Sequence, residues 1–174
     1  MRVPTNYAGP RRKTPEKKKV SQSTSSNMAK GAATVADVLE SKGNAIFSIK
    51  REDTLQAAVD VLGEKRIGAL LVLTDDGRLE GIVSERDIVR NLAGVPGDVL
   101  TKPVSAFMTT KVKSCSPGDS LLKVLKIMTE GRFRHMPVME NDNLLGMVTI
   151  GDVVHHRLGE LELEAVKMKQ MIVG

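Results

Sequence analysis

Apolar positions along this chain alternate between helical spacing and short continuous runs. Between residues 54 and 65 they lie three or four residues apart, which predicts an amphipathic helix with Asp53 as its capping acid. A short apolar segment at residues 45–49 precedes this helix and predicts an extended strand. Residues 68–73 and 79–83 predict two more strands joined by a turn, and residues 84–92 predict a second helix. The predicted order of elements is therefore β-α-β-β-α.

The same order returns further along the chain. A shift of 66 residues places Arg66 on Arg132, and a one-residue deletion in a turn then brings residues 78–89 onto residues 143–154. The second unit predicts strands at 112–115, 136–139 and 144–148, with helices at 120–130 and from 149. Matching segments on both sides of one deletion indicate a duplicated unit.

The duplication predicts an α+β (α/β) fold built from two β-α-β-β-α repeats, at residues 34–93 and 105–158. Residues 94–104 hold two glycines and two prolines and are predicted to be a linker. A lead-in turn precedes the first strand of each repeat, at residues 36–39 and 105–108. Residues 159–174 form a predicted C-terminal helix that continues or follows the last one. An apolar stripe there predicts either packing onto the body or a dimer contact: Leu158, Leu161, Val166 and Met171.

Charge is distributed unevenly along the 174 residues. The net charge is +5, but residues 1–30 hold eight basic residues and one acid, which leaves the rest of the chain at −2. This basic segment is poor in apolar residues, so we expect a disordered tail with no part in the fold. A polyanion-binding arm and a targeting segment are the alternatives for the tail. The mildly acidic remainder does not favour nucleic-acid binding outside the tail.

Composition narrows the class of protein further. Aromatic residues make up 2% of the chain and hydrophobic residues 41%, which predicts an aliphatic core. With Cys115 as the one cysteine, neither an intramolecular disulfide nor a cysteine metal cluster is possible. Neither a membrane-spanning apolar run of about 18 residues nor a secretory signal is recognisable. The chain lacks common catalytic motifs, so we expect a cytoplasmic protein that is not an enzyme.

One motif occurs at the same place in both units. It has the form Gly, two apolar residues, Ser or Thr, any two residues and Asp; the polar pairs are Ser84 with Asp87 and Thr149 with Asp152. Each pair lies where a predicted strand turns into a helix. The residues fit a helix-capping arrangement, and they equally fit a ligand site whose carboxylate accepts ribose hydroxyl groups.

A second cluster distinguishes the two units. Residues 131–135 read Gly-Arg-Phe-Arg-His and place Arg132, Arg134 and His135 just before a predicted strand. Arginine matches the geometry of phosphate, and histidine adds a donor, although a solvated loop would carry the same residues. In the first unit, Gly68 and Ala69 lie at the positions of Arg134 and His135. We therefore expect the two units to differ in phosphate binding.

At these residues the chain resembles a known family, the tandem cystathionine-β-synthase (CBS) domain pair, also called a Bateman module. The matching segments of the first unit are VADVL, IKREDTLQAAVDVLGEKRIGALLVL and GRLEGIVSERDIV. Those of the second unit are VSAFM and SPGDSLLKVLKIMTEGRFRHMPVMENDNLLGMVTIGDVV. The resemblance covers residues 34–158 and implies two repeats with two clefts between them.

The resemblance also implies which residues would hold a nucleotide. One cleft would use Asn44, Ala45, Ile46, Arg132, Arg134, His135, Thr149, Gly151 and Asp152. The second cleft would use Ser84, Arg86, Asp87, Thr110, Lys111 and Val112. No metal site is implied.

Function follows from the same resemblance as an expectation. The chain would be a stand-alone regulatory module, without a catalytic cofactor, that binds an adenine nucleotide in a cleft between the repeats. AMP is the first choice, and ATP or NAD(H) are the others. The module would form a homodimer and pass energy or redox state to a regulated protein of unknown identity. The alternative is a dimeric interaction scaffold that needs no ligand.

Overall fold

Two α+β repeats make up the part of the chain that the structure, a computed structural model, describes: residues 32–92 and 98–173. The predicted tail at residues 1–30 and part of the predicted linker lie outside the described residues. The helices are α1 Val35–Lys42, α2 Leu55–Lys65, α3 Glu85–Leu92, α4 Leu121–Gly131 and α5 Ile150–Val173. The strands are β1 Ser48–Ile49, β2 Ala69–Leu73, β3 Leu79–Ser84, β4 His135–Glu140 and β5 Asn143–Thr149. Two short 3₁₀ helices are Val99–Thr101 and Val104–Ala106.

The first repeat, β1 to α3, contains a three-stranded sheet in the order β1-β2-β3. Strand β1 runs parallel to β2, and β2 runs antiparallel to β3. The second repeat, α4 to α5, has only the antiparallel pair β4-β5. This confirms the α+β fold and the repeated order of elements, apart from the first strand of the second repeat.

That strand, predicted at residues 112–115, is reduced to a single parallel bridge between Cys115 and Val138. Cys115 N–H donates to Pro137 O at 3.0 Å, but the next ladder bond would need an N–H on Pro137, which proline lacks. The equivalent residue in the first repeat is Leu71, whose N–H donates to Phe47 O at 3.1 Å. One proline therefore accounts for the missing strand.

Helices α2 and α4 begin in the same way. Thr54, not the predicted Asp53, caps α2, because its hydroxyl accepts from Ala57 N–H at 3.2 Å. The Asp53 carboxylate instead accepts from Lys50 N–H at 2.9 Å and closes the preceding turn. Ser120 caps α4 by the same side-chain bond. The prediction of Asp53 as the cap was wrong by one residue, because in both repeats the capping hydroxyl belongs to the residue that follows the acid.

The two hydrophobic cores exchange segments. Val35 and Val38 of α1 are buried in the core of the second repeat, and Val35 N–H donates to Asp119 O at 3.0 Å. Val104 and Phe107, which follow the first repeat in sequence, are buried in the core of that first repeat. Neither repeat therefore closes its core with its own residues, and the predicted lead-in turns each complete the other repeat.

One end of the predicted linker differs from its predicted role, whereas the C-terminal helix takes one of its two predicted forms. Within the predicted linker, Val99 is buried in the core of the first repeat, so this end of the linker is part of the packed structure. At the C-terminus, the last two predicted helices form one continuous helix, α5, of 24 residues.

Because the two cores exchange segments, we predict that a substitution that destabilises one core also destabilises the other. Phe107→Ala should lower the free energy of unfolding by about 3–5 kcal/mol, because it empties a buried site in the first repeat. Cys115, in the second core, reports on that core: burial raises the pKa of its thiol to about 12, so the folded protein should resist thiol labelling.

The measurement is denaturant unfolding followed both by circular dichroism and by labelling of Cys115. Both midpoints should fall together in Phe107→Ala. Leu122→Ala is the control, since Leu122 lies on the exposed face of α4. An unchanged midpoint for Cys115 labelling, together with earlier unfolding of the first repeat, would contradict the shared core.

Candidate functional site

A cavity of about 490 Å³ opens where the two repeats meet. Three segments form its walls: the turn from β3 into α3, the chain at residues 109–113, and the chain at residues 131–135. Its lining residues are Gly68, Ile82, Ser84, Glu85, Arg86, Asp87, Arg90, Thr109, Lys111, Val112, Lys113, Gly131, Arg132, Phe133, Arg134 and His135. The volume lies within the range of about 300–1,000 Å³ that is usual for small-molecule sites.

The first wall carries the Ser84–Asp87 pair. Ser84 Oγ donates to Asp87 Oδ2 at 2.5 Å, and Ser84 N–H donates to the same oxygen at 3.1 Å. The motif is therefore a helix cap, as one of its two interpretations predicted. The other oxygen, Asp87 Oδ1, accepts no hydrogen bond from the described residues. The cap thus positions a carboxylate at the cavity wall and leaves one oxygen for a ligand.

The second wall is held against β3 by two backbone bonds. Ile82 N–H donates to Thr109 O at 3.0 Å, and Thr109 N–H donates to Ile82 O at 2.8 Å. Gly81 permits this approach, since a Cβ there would lie 2.9 Å from Thr109 O. The pairing places Lys111 and Val112 in the cavity, as the grouping with Asp87 predicted, whereas Thr109 replaces the predicted Thr110 in the lining.

The third wall holds the basic cluster that follows α4. Arg132 ends that helix in the left-handed conformation, with φ of 55°. Arg86 Nη1 donates to Arg132 O at 2.8 Å and so ties α3 of the first repeat to this segment. The cavity of Asp87 is lined by all three basic residues that were predicted to act with Asp152: Arg132, Arg134 and His135.

Gly68 leaves room for His135 of the other repeat in this cavity. A Cβ on Gly68 would lie 3.0 Å from His135 Cε1, so the start of β2 leaves just enough room for the imidazole from the other repeat. The sequence analysis took Gly68 and Ala69 as a loss of phosphate-binding side chains in the first repeat. In the structure, the small Gly68 accommodates His135 of the second repeat, and both residues line one cavity.

The cavity is strongly cationic in an otherwise mildly acidic body. Six of its lining side chains are basic: Arg86, Arg90, Lys111, Lys113, Arg132 and Arg134. Against these stand only Glu85 and Asp87, which leaves a formal charge of +4 with His135 neutral. Sequence reasoning missed Arg90 and Lys113. The spacing of four residues from Arg86 to Arg90 on one helix was the available signal.

His135 lies near two acids, Asp152 and Glu85. Burial lowers the pKa of His135 below its ordinary 6.5, and the nearby Lys42 and Arg134 act in the same direction. Asp152 and Glu85 oppose this shift without cancelling it. The imidazole is therefore neutral near pH 7 and able to accept as well as donate a hydrogen bond.

The Asp152 turn has the same cap as the Asp87 turn, but its carboxylate is already paired. Thr149 N–H donates to Asp152 Oδ2 at 2.8 Å, and Lys42 Nζ of α1 lies 2.7 Å from the same oxygen. Burial raises the pKa of Asp152, but the hydrogen bonds from Lys42 and Thr149 outweigh it and bring the pKa below its usual range. Lys42 therefore neutralises this carboxylate through the oxygen that the cap uses, and Asp152 Oδ1 accepts no hydrogen bond from the described residues.

The other residues predicted for the Asp152 cleft lie nearby and face solvent. A Cβ on Gly146 would lie 3.9 Å from Asn44 Cα, which places residue 44 beside β5. Asn44, Ala45, Ile46 and Gly151 are all exposed. The structure brings this group together at the surface, next to the basic cluster, since His135 pairs with Thr149 across β4 and β5 and Ile150 N–H donates to Arg134 O at 2.9 Å. The binding role of these residues stays a prediction.

Comparison with known families agrees with the duplicated fold. The CBS domain model matches residues 32–94 and 104–159. The chain belongs to the CBS domain family and contains two copies of the domain, which together form a CBS pair, a regulatory module.

Several known proteins are similar to this chain. CBS domain-containing protein CBSX3, mitochondrial, of Arabidopsis thaliana is 30% identical over 151 residues, which cover 82% of this chain and 73% of that protein. The crystal structure of the CBS-domain containing protein ATU1752 from Agrobacterium tumefaciens is 38% identical, with a TM-score of 0.70, over 72% of this chain and 99% of that one.

The CBS domain pair of MJ0100 shares the fold at 21% identity. Its TM-score is 0.63, over 75% of this chain and 99% of that chain, and it was crystallised with 5′-methylthioadenosine and S-adenosyl-L-methionine.

Two searches of the described residues bear on other classes of site. Within residues 32–92 and 98–173, no helix is long and apolar enough to cross a membrane. The same residues hold no group of three or more His, Cys, Asp or Glu side chains placed to bind a metal ion.

The environment of His135 predicts how stability depends on pH. The folded state lowers the pKa of this residue, whereas the unfolded chain keeps about 6.5, so protons bind the unfolded state more readily. The contribution of neutral, buried His135 to the free energy of unfolding is complete above pH 6.5, and it is lost as the pH falls below that value.

The free energy of unfolding should therefore fall more steeply between pH about 7 and about 5.5 in the natural protein than in His135→Gln, which has no such proton to bind. Denaturant titrations at several pH values measure this difference. Equal slopes for the two proteins would show that the folded state leaves His135 unshifted.

Proposed function

We propose that the cavity binds an adenine nucleotide, with AMP as the first candidate and ATP or NAD(H) as the others. The observation that carries this proposal is the joining, in one cavity, of a positioned carboxylate oxygen on Asp87 with six basic side chains. A nucleotide presents the matching groups, since its ribose offers hydroxyl donors and its phosphate offers negative charge. The adenosyl ligands of MJ0100 support the same class of ligand at the level of the fold.

Each wall would take one part of the ligand. Ribose hydroxyl groups would donate to Asp87 Oδ1, beside the Ser84 cap. The phosphate would lie against Arg132, Arg134 and His135, which come from the other repeat. Ile82 and Val112 supply the apolar surface that an adenine ring needs.

This arrangement supplies a mechanism for signalling. A bound nucleotide would touch the first repeat through its ribose and the second repeat through its phosphate. The six cations repel one another when no anion is present, so a phosphate would favour the arrangement that brings them closest. A ligand shifts an equilibrium only as far as it prefers one arrangement over the other, and this charge difference is such a preference.

The function that follows is regulation by nucleotide binding rather than catalysis. The module would act as a cytoplasmic homodimer that reports energy or redox state to a regulated protein. The cationic lining favours a nucleotide-binding regulator over a scaffold that needs no ligand. An interaction scaffold does not require a cavity with a net charge of +4.

Arg132 and Arg66 offer a matched test of the phosphate contact. Both end a helix at positive φ, 55° and 53°, where glycine is favoured, so replacing either with glycine should not harm the fold. Only Arg132 lines the cavity. Arg132→Gly should weaken AMP binding about tenfold through loss of one charge-assisted hydrogen bond, and should leave adenosine binding unchanged.

Isothermal titration calorimetry with AMP and with adenosine measures both effects. Arg66→Gly should behave like the natural protein toward each ligand. A similar loss for AMP and adenosine in Arg132→Gly would show that this side chain does not contact phosphate.

The two motif acids test which cleft the nucleoside occupies. Asp87→Asn and Asp152→Asn both keep an oxygen that can cap the helix. Asp87→Asn should lower the affinity for adenosine and AMP alike, by about tenfold, because the amide accepts a ribose hydroxyl group less strongly than the carboxylate. Asp152→Asn should have little effect, since the charge of that carboxylate is already neutralised by Lys42. The reverse ranking of the two variants would assign the ligand to the Asp152 cleft.

A further inference from the structure

The outer part of α5 extends beyond the body of the protein. Every residue from 161 to 172 is exposed, so nothing in the described part of the chain packs on these three turns. An isolated helix of this length is marginal in water, because helix formation is cooperative and its nucleation is unfavourable. This segment nevertheless carries several large apolar side chains, which include Leu161, Met168 and Ile172 at 51%, 55% and 83% exposure.

The apolar residues of α5 follow a heptad pattern. Alternating steps of four and three residues connect an unbroken apolar seam: Val154, Leu158, Leu161, Ala165, Met168 and Ile172. In heptad terms Leu158, Ala165 and Ile172 are a positions, and Leu161 and Met168 are d positions. Such a spacing is typical of a helix that packs against a second helix in a coiled coil.

The seam does not coincide with the face that packs on the body. Buried Val153 marks the body-facing side of α5. At about 100° of rotation per residue, the seam lies roughly a quarter turn away from that side. Val154 is 42% exposed and continues the seam down to the body. A second helix can therefore lie along the seam without displacing the contacts that fix α5 to its own repeat.

Charges that flank the seam match those of an identical helix. In a parallel pair, each g position faces the e position five residues later on the other chain. Arg157 would then face Glu162, and Glu164 would face Lys169, and symmetry repeats both pairs. Arg157 also binds Glu160 of its own chain at 2.6 Å, but guanidinium has five donors and can serve both acids.

The antiparallel arrangement lacks this match. If two helices ran antiparallel about a centre at residue 163, Glu162 would face Glu162 and Glu164 would face Glu164 of the other copy. Shifting that centre by half a heptad restores at most one of the two favourable kinds of pair. The seam and its charges together therefore fit a parallel, in-register partner of the same sequence.

We propose that α5 is the dimerisation element of this protein, and that two copies join through a parallel, in-register coiled coil along the Leu158–Ile172 seam. The occupant of the exposed apolar face is thus a second copy of this chain. The proposal is independent of nucleotide binding and would hold with the cavity empty or filled.

Two exposed leucines test the seam in the full chain. Leu161→Asp places a charge at a d position and should raise the dimer dissociation constant at least tenfold. Leu163→Asp is the matched control, because Leu163 is 63% exposed but lies at an f position, away from the seam. Sedimentation equilibrium measures the dissociation constants, and circular dichroism verifies that both variants remain folded.

The expected result is a dimer for the natural protein and for Leu163→Asp, with a marked loss for Leu161→Asp. A monomeric natural protein, or a Leu161→Asp variant that dimerises as well as the natural protein, would overturn the proposal. Equal loss in both variants would also overturn it, since the seam would then have no special role.

Charge exchange tests the parallel orientation. E164K alone and K169E alone should each weaken the dimer several-fold, because each places like charges opposite one another. An equal mixture of the two single variants should recover natural affinity, since every flanking pair is then attractive, and the double variant should recover it too. In one shifted antiparallel pair Glu164 faces no charge, and in the other Lys169 faces none. Either single variant without effect, or a mixture without recovery, would therefore overturn the parallel arrangement.

Discussion

The exchange of lead-in segments between the two cores is the constraint on which the rest of the structure depends. Helix α1 precedes the first repeat but buries Val35 and Val38 in the second, and Val104 and Phe107 complete the first. Backbone bonds on each side, such as Leu55 N–H to Lys102 O at 2.8 Å, fix these segments at the start of α2 and α4. Separating the repeats would open both cores, so the cavity at their junction has walls that cannot drift apart independently.

The exchange also decides what each cleft contains. The chain that leaves Phe107 runs along β3 and takes Lys111 and Lys113 into the cavity of Asp87. The chain that leaves α1 instead brings Lys42 onto Asp152. Two turns with the same cap therefore differ in charge: one carboxylate is neutralised by its own chain, and the other lies in a cavity with an excess of cations. Duplication supplied the common geometry, and the unequal lead-in segments made it asymmetric.

Collecting six cations in one cavity has an energetic consequence. Like charges gathered around one cavity repel one another and destabilise the folded state, although water reaches five of the six side chains and weakens the repulsion. Burial is the main cause of the lowered pKa of His135, and the positive charge of Arg134 acts in the same direction. Burial of aliphatic side chains in the two cores offsets this local repulsion. An anion that entered the cavity would reduce the repulsion, and the proposed nucleotide binding would be coupled to the arrangement of the repeats in this way.

Local features of this protein were determined by the sequence alone. The spacing of apolar residues located the helices and most strands, and the Ser84–Asp87 and Thr149–Asp152 pairs were recognisable as caps because capping depends on neighbours three residues apart. Even the loss of a strand beside β4 could have been predicted, since Pro137 lacks a donor. Contacts between distant segments were decided by the tertiary structure. The sequence did not indicate that the basic cluster also lines the cavity of Asp87, nor that Gly68 makes room for His135, because the approach of His135 to Gly68 depends on how one repeat packs against the other. No local pattern records that packing.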